Sequence, residues 1–158
     1  MAADMAAGMA ADWVRALRER GLRATPQRVT LLSELGRRSD HPTAEELYRS
    51  LRDAHPTLAL STVYSTLETF EAAGLAHRLT LGEGRDRYDA NVRPHAHLVC
   101  LGCRRVVDVA LTASAPPPEA TRLGYRYAFT SVVHHGLCPD CQRAGGGVAE
   151  ADAEVEAD

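Results

Sequence analysis

The chain has 158 residues, enough to bury one core or two small ones, and its 45% hydrophobic and 25% charged residues are those of an ordinary globular protein. No run approaches the roughly 18 consecutive apolar residues of a membrane span. The Ala/Met-rich start has Asp4 and no Lys or Arg, so it is not expected to act as a secretory signal, and the protein is expected in the cytoplasm. The net charge of −3 is unevenly spread: from Asp12 to Arg38 seven arginines face three acids, a local +4, while residues 144–158 carry five acids and no base. A basic head fits a partner rich in phosphate; a solvated helix face with a solubilising tail gives the same balance.

Asp12 can cap a first helix carrying Trp13, Val14 and Leu17, with Gly21 as its stop. Thr25-Pro26 reads as an N-cap followed by Pro at the first helical position, opening a helix that buries Val29, Leu31, Leu32 and Leu35 and ends at Gly36. Thr43 to Glu46 is a capping box ahead of Leu47, Tyr48 and Leu51. After the His55-Pro56 loop, Ser61 is expected to cap a fourth helix running through Val63, Leu67 and Phe70 to Gly74. The period then shortens. Leu75–Leu81 and Arg85–Asp89 flank Gly82-Glu83-Gly84 as a β-hairpin, and helix, turn, helix, hairpin is the order of a winged helix-turn-helix.

Arg93-Pro94 makes a short extended hinge. Beyond it His95–Cys100 and Arg105–Ala110 read as strands, Pro116–Leu123 as a short helix, and Tyr125–His134 as a long strand. The expected organisation is a disordered start (1–11), a winged-helix domain (12–90), a hinge (91–94), a second domain (95–143) and a disordered acidic tail (144–158), an α+β chain overall.

All four cysteines lie in Cys-x-x-Cys pairs, Cys100/Cys103 and Cys138/Cys141, the spacing that offers two thiolates at a time to one tetrahedral zinc. Thiol redox chemistry is the alternative. Such a site has no open position and holds the fold. A zinc deaminase would need Pro-Cys-x-x-Cys with an upstream His-x-Glu, and here Cys138-Pro139-Asp140-Cys141 has neither. A reductase would need a reactive low-pKa cysteine, and a metallohydrolase an open site with a general base, so no enzyme and no organic cofactor is expected. Arg87-Tyr88-Asp89, His95-Ala96-His97 and Asp108 form a second constellation, since residues two apart in a strand face one side and His95 and His97 can converge on one ion. Singly, each is more often a surface polar residue.

Taken together, Thr25-Pro26-Gln27-Arg28, His41-Pro42-Thr43-Ala44-Glu45, Ser61-Thr62-Val63-Tyr64, Arg87-Tyr88-Asp89, His95-x-His97-x-x-Cys100-x-x-Cys103 and Cys138-x-x-Cys141 resemble the ferric uptake regulator superfamily over about Asp12 to Cys141. The resemblance implies an N-terminal winged helix-turn-helix domain, a C-terminal α/β dimerisation domain, and metal-dependent binding of a homodimer to a pseudo-palindromic operator in double-stranded DNA. It also implies a regulatory ion held by His41, Asp89, His95, His97 and Asp108. Three imidazoles and two carboxylates suit Fe(2+) or Mn(2+), beside Zn(2+) at the structural thiolate site.

Aspartate at both carboxylate positions, Asp89 and Asp108, is similar to the peroxide repressor branch, which implies peroxide sensing by oxidation of a histidine ligand. The alternative is a repressor responding to iron or another divalent metal. For DNA, Tyr64 resembles the family's base-contacting aromatic, with Ser61, Thr62 and Ser65 near it; Arg23, Arg28 and Arg85 are candidates for phosphate. Core packing is the competing role for Tyr64. Ser65 departs from the Arg or Asn common in relatives. His134 and His135 are expected to be strand residues, and His55 and His77 surface histidines.

Overall fold

The computed structural model describes residues 12–81, 86–111, 117–126 and 130–146. The chain forms two compact units, one up to Arg93 and one from Pro94. Among the described residues no helix is long and apolar enough to cross a membrane.

In the first unit, α1 covers 12–19 and buries Leu17. Asp12 lies within the helix and receives Arg15 at 2.8 Å. Gly21 follows at φ +72°, the left-handed conformation that closes a helix at least cost when no Cβ is present. Helix α2 (Pro26–Arg37) starts as expected, with Thr25 Oγ1 accepting the Arg28 N–H and Pro26 at its first position, and it buries Leu31, Leu32 and Leu35. It does not stop at Gly36. That glycine lies in its last turn, where a Cβ would sit 2.3 Å from the Trp13 ring, so close packing of α1 explains its small size.

Helix α3 (Ala44–Leu51) has both hydrogen bonds of the capping box: Thr43 Oγ1 accepts from Glu46 N, and Glu46 accepts from Thr43 N. Helix α4 (Leu60–Ala72) corrects the expected cap. Its N-cap is Ala59, with no side-chain cap, and Ser61 is already in the first turn. Leu58, just before the N-cap, is buried in the core. At the other end the Arg20 guanidinium donates to the Ala73 carbonyl at 2.8 Å, and Gly74 at φ +65° ends the helix.

Val63, Thr66, Leu67 and Phe70 face inward from α4, against Leu31, Leu35, Leu47 and Tyr88. Strands β1 (His77–Leu79) and β2 (Arg87–Asp89) pair antiparallel, His77 opposite Asp89. Both are shorter than expected. The connecting turn with Arg85 lies outside the described residues.

The second unit follows a bend at Arg93-Pro94 where an extended hinge was expected. Its sheet has the order β4-β3-β5: β3 (Ala96–Cys100) pairs antiparallel with β4 (Val106–Val109) and parallel with β5 (Val132–Gly136). A parallel pair needs a crossover, and α5 (Pro118–Arg122) lies in that connection. Of the expected long strand Tyr125–His134, residues 127–129 lie outside the described residues; of the rest, Val132–His134 are in β5, while Tyr125, Arg126, Thr130 and Ser131 are not in a strand. Strand β5 pairs with all five residues of β3, from Ala96 opposite Val132 to Cys100 opposite Gly136, and Tyr125 is 71% exposed. Helix α6 (Pro139–Arg143) closes the unit, and 144–146 continue it as a hydrogen-bonded turn where a disordered tail was expected to begin. The tail proper and residues 1–11 lie outside the described residues, as does Pro116.

Candidate metal centres and nucleic-acid face

The four cysteines are reduced, and their sulfurs all lie within 4.8 Å of one another. Cys100 ends β3, Cys103 sits in the turn after it, and Cys138 and Cys141 flank the start of α6. The parallel pairing of β3 with β5, Cys100 opposite Gly136, is what returns the second pair to the first. Four sulfurs on one zinc at about 2.3 Å stand about 3.8 Å apart; Cys103 and Cys138 are separated by 3.8 Å.

Two backbone N–H groups point at the Cys100 sulfur, from Cys138 at 3.3 Å and from Cys103 at 3.5 Å, and they hold its pKa down to about 6. The neighbouring Cys138 and Cys100 sulfurs push Cys141 up to about 12. Four sulfurs this close cannot all ionise without a cation among them, while N–H groups aimed at one of them already favour thiolate. The cluster fits a closed, tetrahedral metal site. Gly102 is part of it: a Cβ there would lie 2.9 Å from Cys141 Sγ.

The second unit also carries a histidine–carboxylate group. His97 in β3 stands opposite Asp108 in β4, and His95 precedes the strand. The two Nε2 atoms are 2.9 Å apart, and each lies near Asp108 Oδ1, at 3.6 Å from His95 and 3.7 Å from His97. Ligands at right angles on one ion, with bonds of about 2.1 Å, stand about 3.0 Å apart. The two Nε2 atoms and Asp108 Oδ1 thus converge on one point, an arrangement that a shared cation would stabilise.

In the first unit, His41 Nε2 lies 3.9 Å from Asp89 Oδ2, and both side chains are buried. That separation is within the roughly 4.3 Å that two opposite ligands of one ion span. Asp89 Oδ1 accepts the Asn91 N–H at 2.8 Å, which turns Oδ2 toward His41. His134 and His135 are exposed strand residues and belong to neither group, as expected.

On α4, Ser61, Tyr64 and Ser65 are exposed and Thr62 is half-buried, a single open face. Tyr64 is 39% exposed, so core packing is not its role; its hydroxyl donates to Glu45 Oε1 of α3 at 2.9 Å. Arg23 is exposed, whereas half-buried Arg28 donates to the Arg23 carbonyl.

The sequence profile of the ferric uptake regulator family matches residues 19–121, and the peroxide-responsive repressor of Staphylococcus aureus is 34% identical over 134 residues, 82% of this chain and 88% of that protein. The chain belongs to the ferric uptake regulator family. Solved structures agree. The Vibrio cholerae ferric uptake regulator, described with rearranged DNA-binding domains, aligns with a TM-score of 0.60 at 28% identity over 79% of this chain and 98% of that one. A zinc-bound manganese uptake regulator aligns at 0.58 and 31% identity over 78% and 96%. Within the family match lie both histidine–carboxylate groups and the first cysteine pair. The second cysteine pair lies beyond it, so its role rests on the sulfur geometry.

Three positions were not singled out for these roles in the sequence. Glu45 and Gly102 act through contacts only folding creates. Arg87 was visible in Arg87-Tyr88-Asp89, but no spacing rule indicates that its guanidinium reaches the His41 loop.

Proposed function

We propose that this chain is a metal-dependent transcriptional repressor that binds a pseudo-palindromic operator as a homodimer and releases it on peroxide. The observation that carries the metal reading is the convergence of the His95 and His97 Nε2 atoms beside Asp108, with His41 and Asp89 forming a matching pair in the first unit. An ion drawing on all five residues would tie the DNA-binding unit to the second unit, favouring the arrangement that grips both half-sites; without it that arrangement is a minor state. Zn(2+) occupies the thiolate cluster in this reading and Fe(2+) or Mn(2+) the histidine–carboxylate site.

DNA is read by the open face of α4, with the Tyr64 ring against a thymine methyl, Ser61, Thr62 and Ser65 on bases or phosphate, and Arg23, Arg28 and Arg85 on phosphate. The missing side-chain cap leaves first-turn N–H groups of α4 able to meet phosphate oxygens. Exposed Leu98 and Val107, paired across β3 and β4, give the second unit an apolar surface that a second copy can cover.

Peroxide sensing is supported by aspartate at both carboxylate positions and by the Staphylococcus aureus relative named for peroxide response. Fe(2+) at this site supplies the activation of peroxide. The histidine ring, at His41 or His95, gains one oxygen: a ring C–H becomes C–OH, two electrons pass to peroxide, and its other oxygen leaves as water. The oxidised ring is a poor ligand, so metal and operator are released. The zinc-bound thiols are not the trigger.

A gel shift with Mn(2+) or Fe(2+) added to the zinc-loaded protein tests the repressor reading, which fails if operator binding is independent of both. For peroxide, mass spectrometry of the iron form after mild treatment should find one added oxygen on the peptide with His41 or His95, with the manganese form unmodified and DNA-bound. Asp108→Glu should blunt the oxidation and spare metal-dependent binding. An iron form that stays unmodified and bound makes the chain an iron-responsive repressor, the reading favoured by its likeness to the Vibrio cholerae regulator.

A further inference from the structure

His41 occupies a backbone conformation that needs outside support. Its φ is +52°, a region that residues with a Cβ rarely adopt, and its side chain is almost completely buried. Support comes from β2. The Arg87 guanidinium donates from Nη1 to the His41 carbonyl at 2.8 Å and lies 3.4 Å from the Asp40 carbonyl. On either side of it the two segments are joined by backbone pairing: Thr43 bridges Arg87, and Tyr88 N–H donates to the Pro42 carbonyl at 3.0 Å. The same Nη1 stands 3.6 Å from Glu46 Oε2, and that oxygen accepts the Thr43 N–H at 2.9 Å in the capping box of α3.

We propose that Arg87 is a positioning residue for the metal pair in the first unit: it holds His41 in its ligating conformation and links that ligand to the N-terminus of α3. The inference rests on the metal reading above and adds a route within one unit. Asp89, the other member of the pair, is two residues along the same strand as Arg87, so β2 supplies a ligand and the clamp on its partner. An ion that fixes His41 then fixes the loop carrying the α3 cap. Helix α3 packs on α4, whose exposed face is the proposed DNA reader, and Glu45 on α3 receives the Tyr64 hydroxyl. Occupancy therefore reaches the reading helix through Arg87, Glu46 and the α3 cap.

The test uses full-length, zinc-loaded protein titrated with Mn(2+), with hydrogen exchange followed on a peptide covering residues 41–47. Groups that orient a ligand typically change metal affinity by about 10- to 100-fold when removed. Arg87→Gln is expected to weaken Mn(2+) binding by about that factor with zinc content unchanged, and to abolish the slowing of exchange that Mn(2+) causes in wild type. Arg87→Lys should recover part of both, because an ammonium can reach one carbonyl but lacks the planar fork. Glu46→Gln keeps a competent capping residue and loses only the charge facing Arg87, so its loss should be at most about fivefold, the range of a part-exposed ion pair. If Arg87→Gln lowers the melting temperature of the metal-free form, the Arg87→Lys and Glu46→Gln variants carry the comparison. Wild-type Mn(2+) affinity and wild-type protection in all three variants overturn the inference. A wild-type protein that binds no Mn(2+) beyond its zinc overturns the metal reading itself, and the inference with it.

Discussion

The two units are held together by different means. In the first, leucines from four helices close around Phe70 and Tyr88, a continuous core that reaches from Leu17 on α1 to Tyr88 on β2. In the second, the buried apolar side chains among the described residues are Ala96, Val99, Cys100 and Val106, while Leu98, Val107, Leu123 and Tyr125 remain exposed. Among the described residues this three-stranded sheet buries far less apolar surface than the helical unit, and burial is what offsets the entropy of ordering a chain. On the reading proposed above, a metal at the four sulfurs would cross-link this unit and supplement that small core. Where hydrophobic area is scarce, ligands brought close by tight turns can close a fold.

The sharpest way to break this contrast is to remove a sulfur. Cys138→Ser should abolish zinc retention and unfold the second unit, since structural zinc contributes roughly 10 kcal/mol or more in small metal-dependent domains. The first unit should keep its own melting transition. Metal analysis with calorimetry checks both, and a zinc-free variant with an unchanged melting curve would show that the cluster is not the staple.

The converse experiment attacks the core. Phe70→Ala in α4 removes a fully buried ring, which costs about 3–5 kcal/mol. The first unit should melt earlier while zinc content and resistance to a chelator stay at wild-type values. A parallel loss of zinc would mean that the units do not fold independently.

The smallest effect on stability is expected at the open face of α4. Tyr64→Ala removes an exposed ring and one hydrogen bond to Glu45, so the melting temperature should hardly move, by no more than about 0.5 kcal/mol equivalent. Operator affinity should fall by about 1–3 kcal/mol with affinity for random DNA unchanged, as measured by gel shifts on both. Equal losses on both DNAs would make Tyr64 a general contact and not a base reader.

Much of this protein was legible in its residues because the deciding physics is local. Thr25-Pro26, the Thr43–Glu46 capping box and the Cys-x-x-Cys pairs act within three or four residues of chain, so their spacing carries their geometry. The His-x-His spacing that lets His95 and His97 converge is equally local, although His95 lies just before β3. Tertiary structure decided the rest. Ser61 does not cap α4, because the helix begins one residue earlier, at Leu60, with Ala59 as its N-cap. The strand β5 runs past the expected end at His134 to Gly136, because it pairs in register with β3 as far as Cys100. Gly36 is a packing residue because Trp13, more than twenty positions earlier, fills the space beside it. Arg87 gained its place at the His41 carbonyl only when β2 folded back onto that loop. Local rules set how a residue bends or caps its own chain; which distant atoms it then meets depends on how burial and strand pairing bring separate segments together.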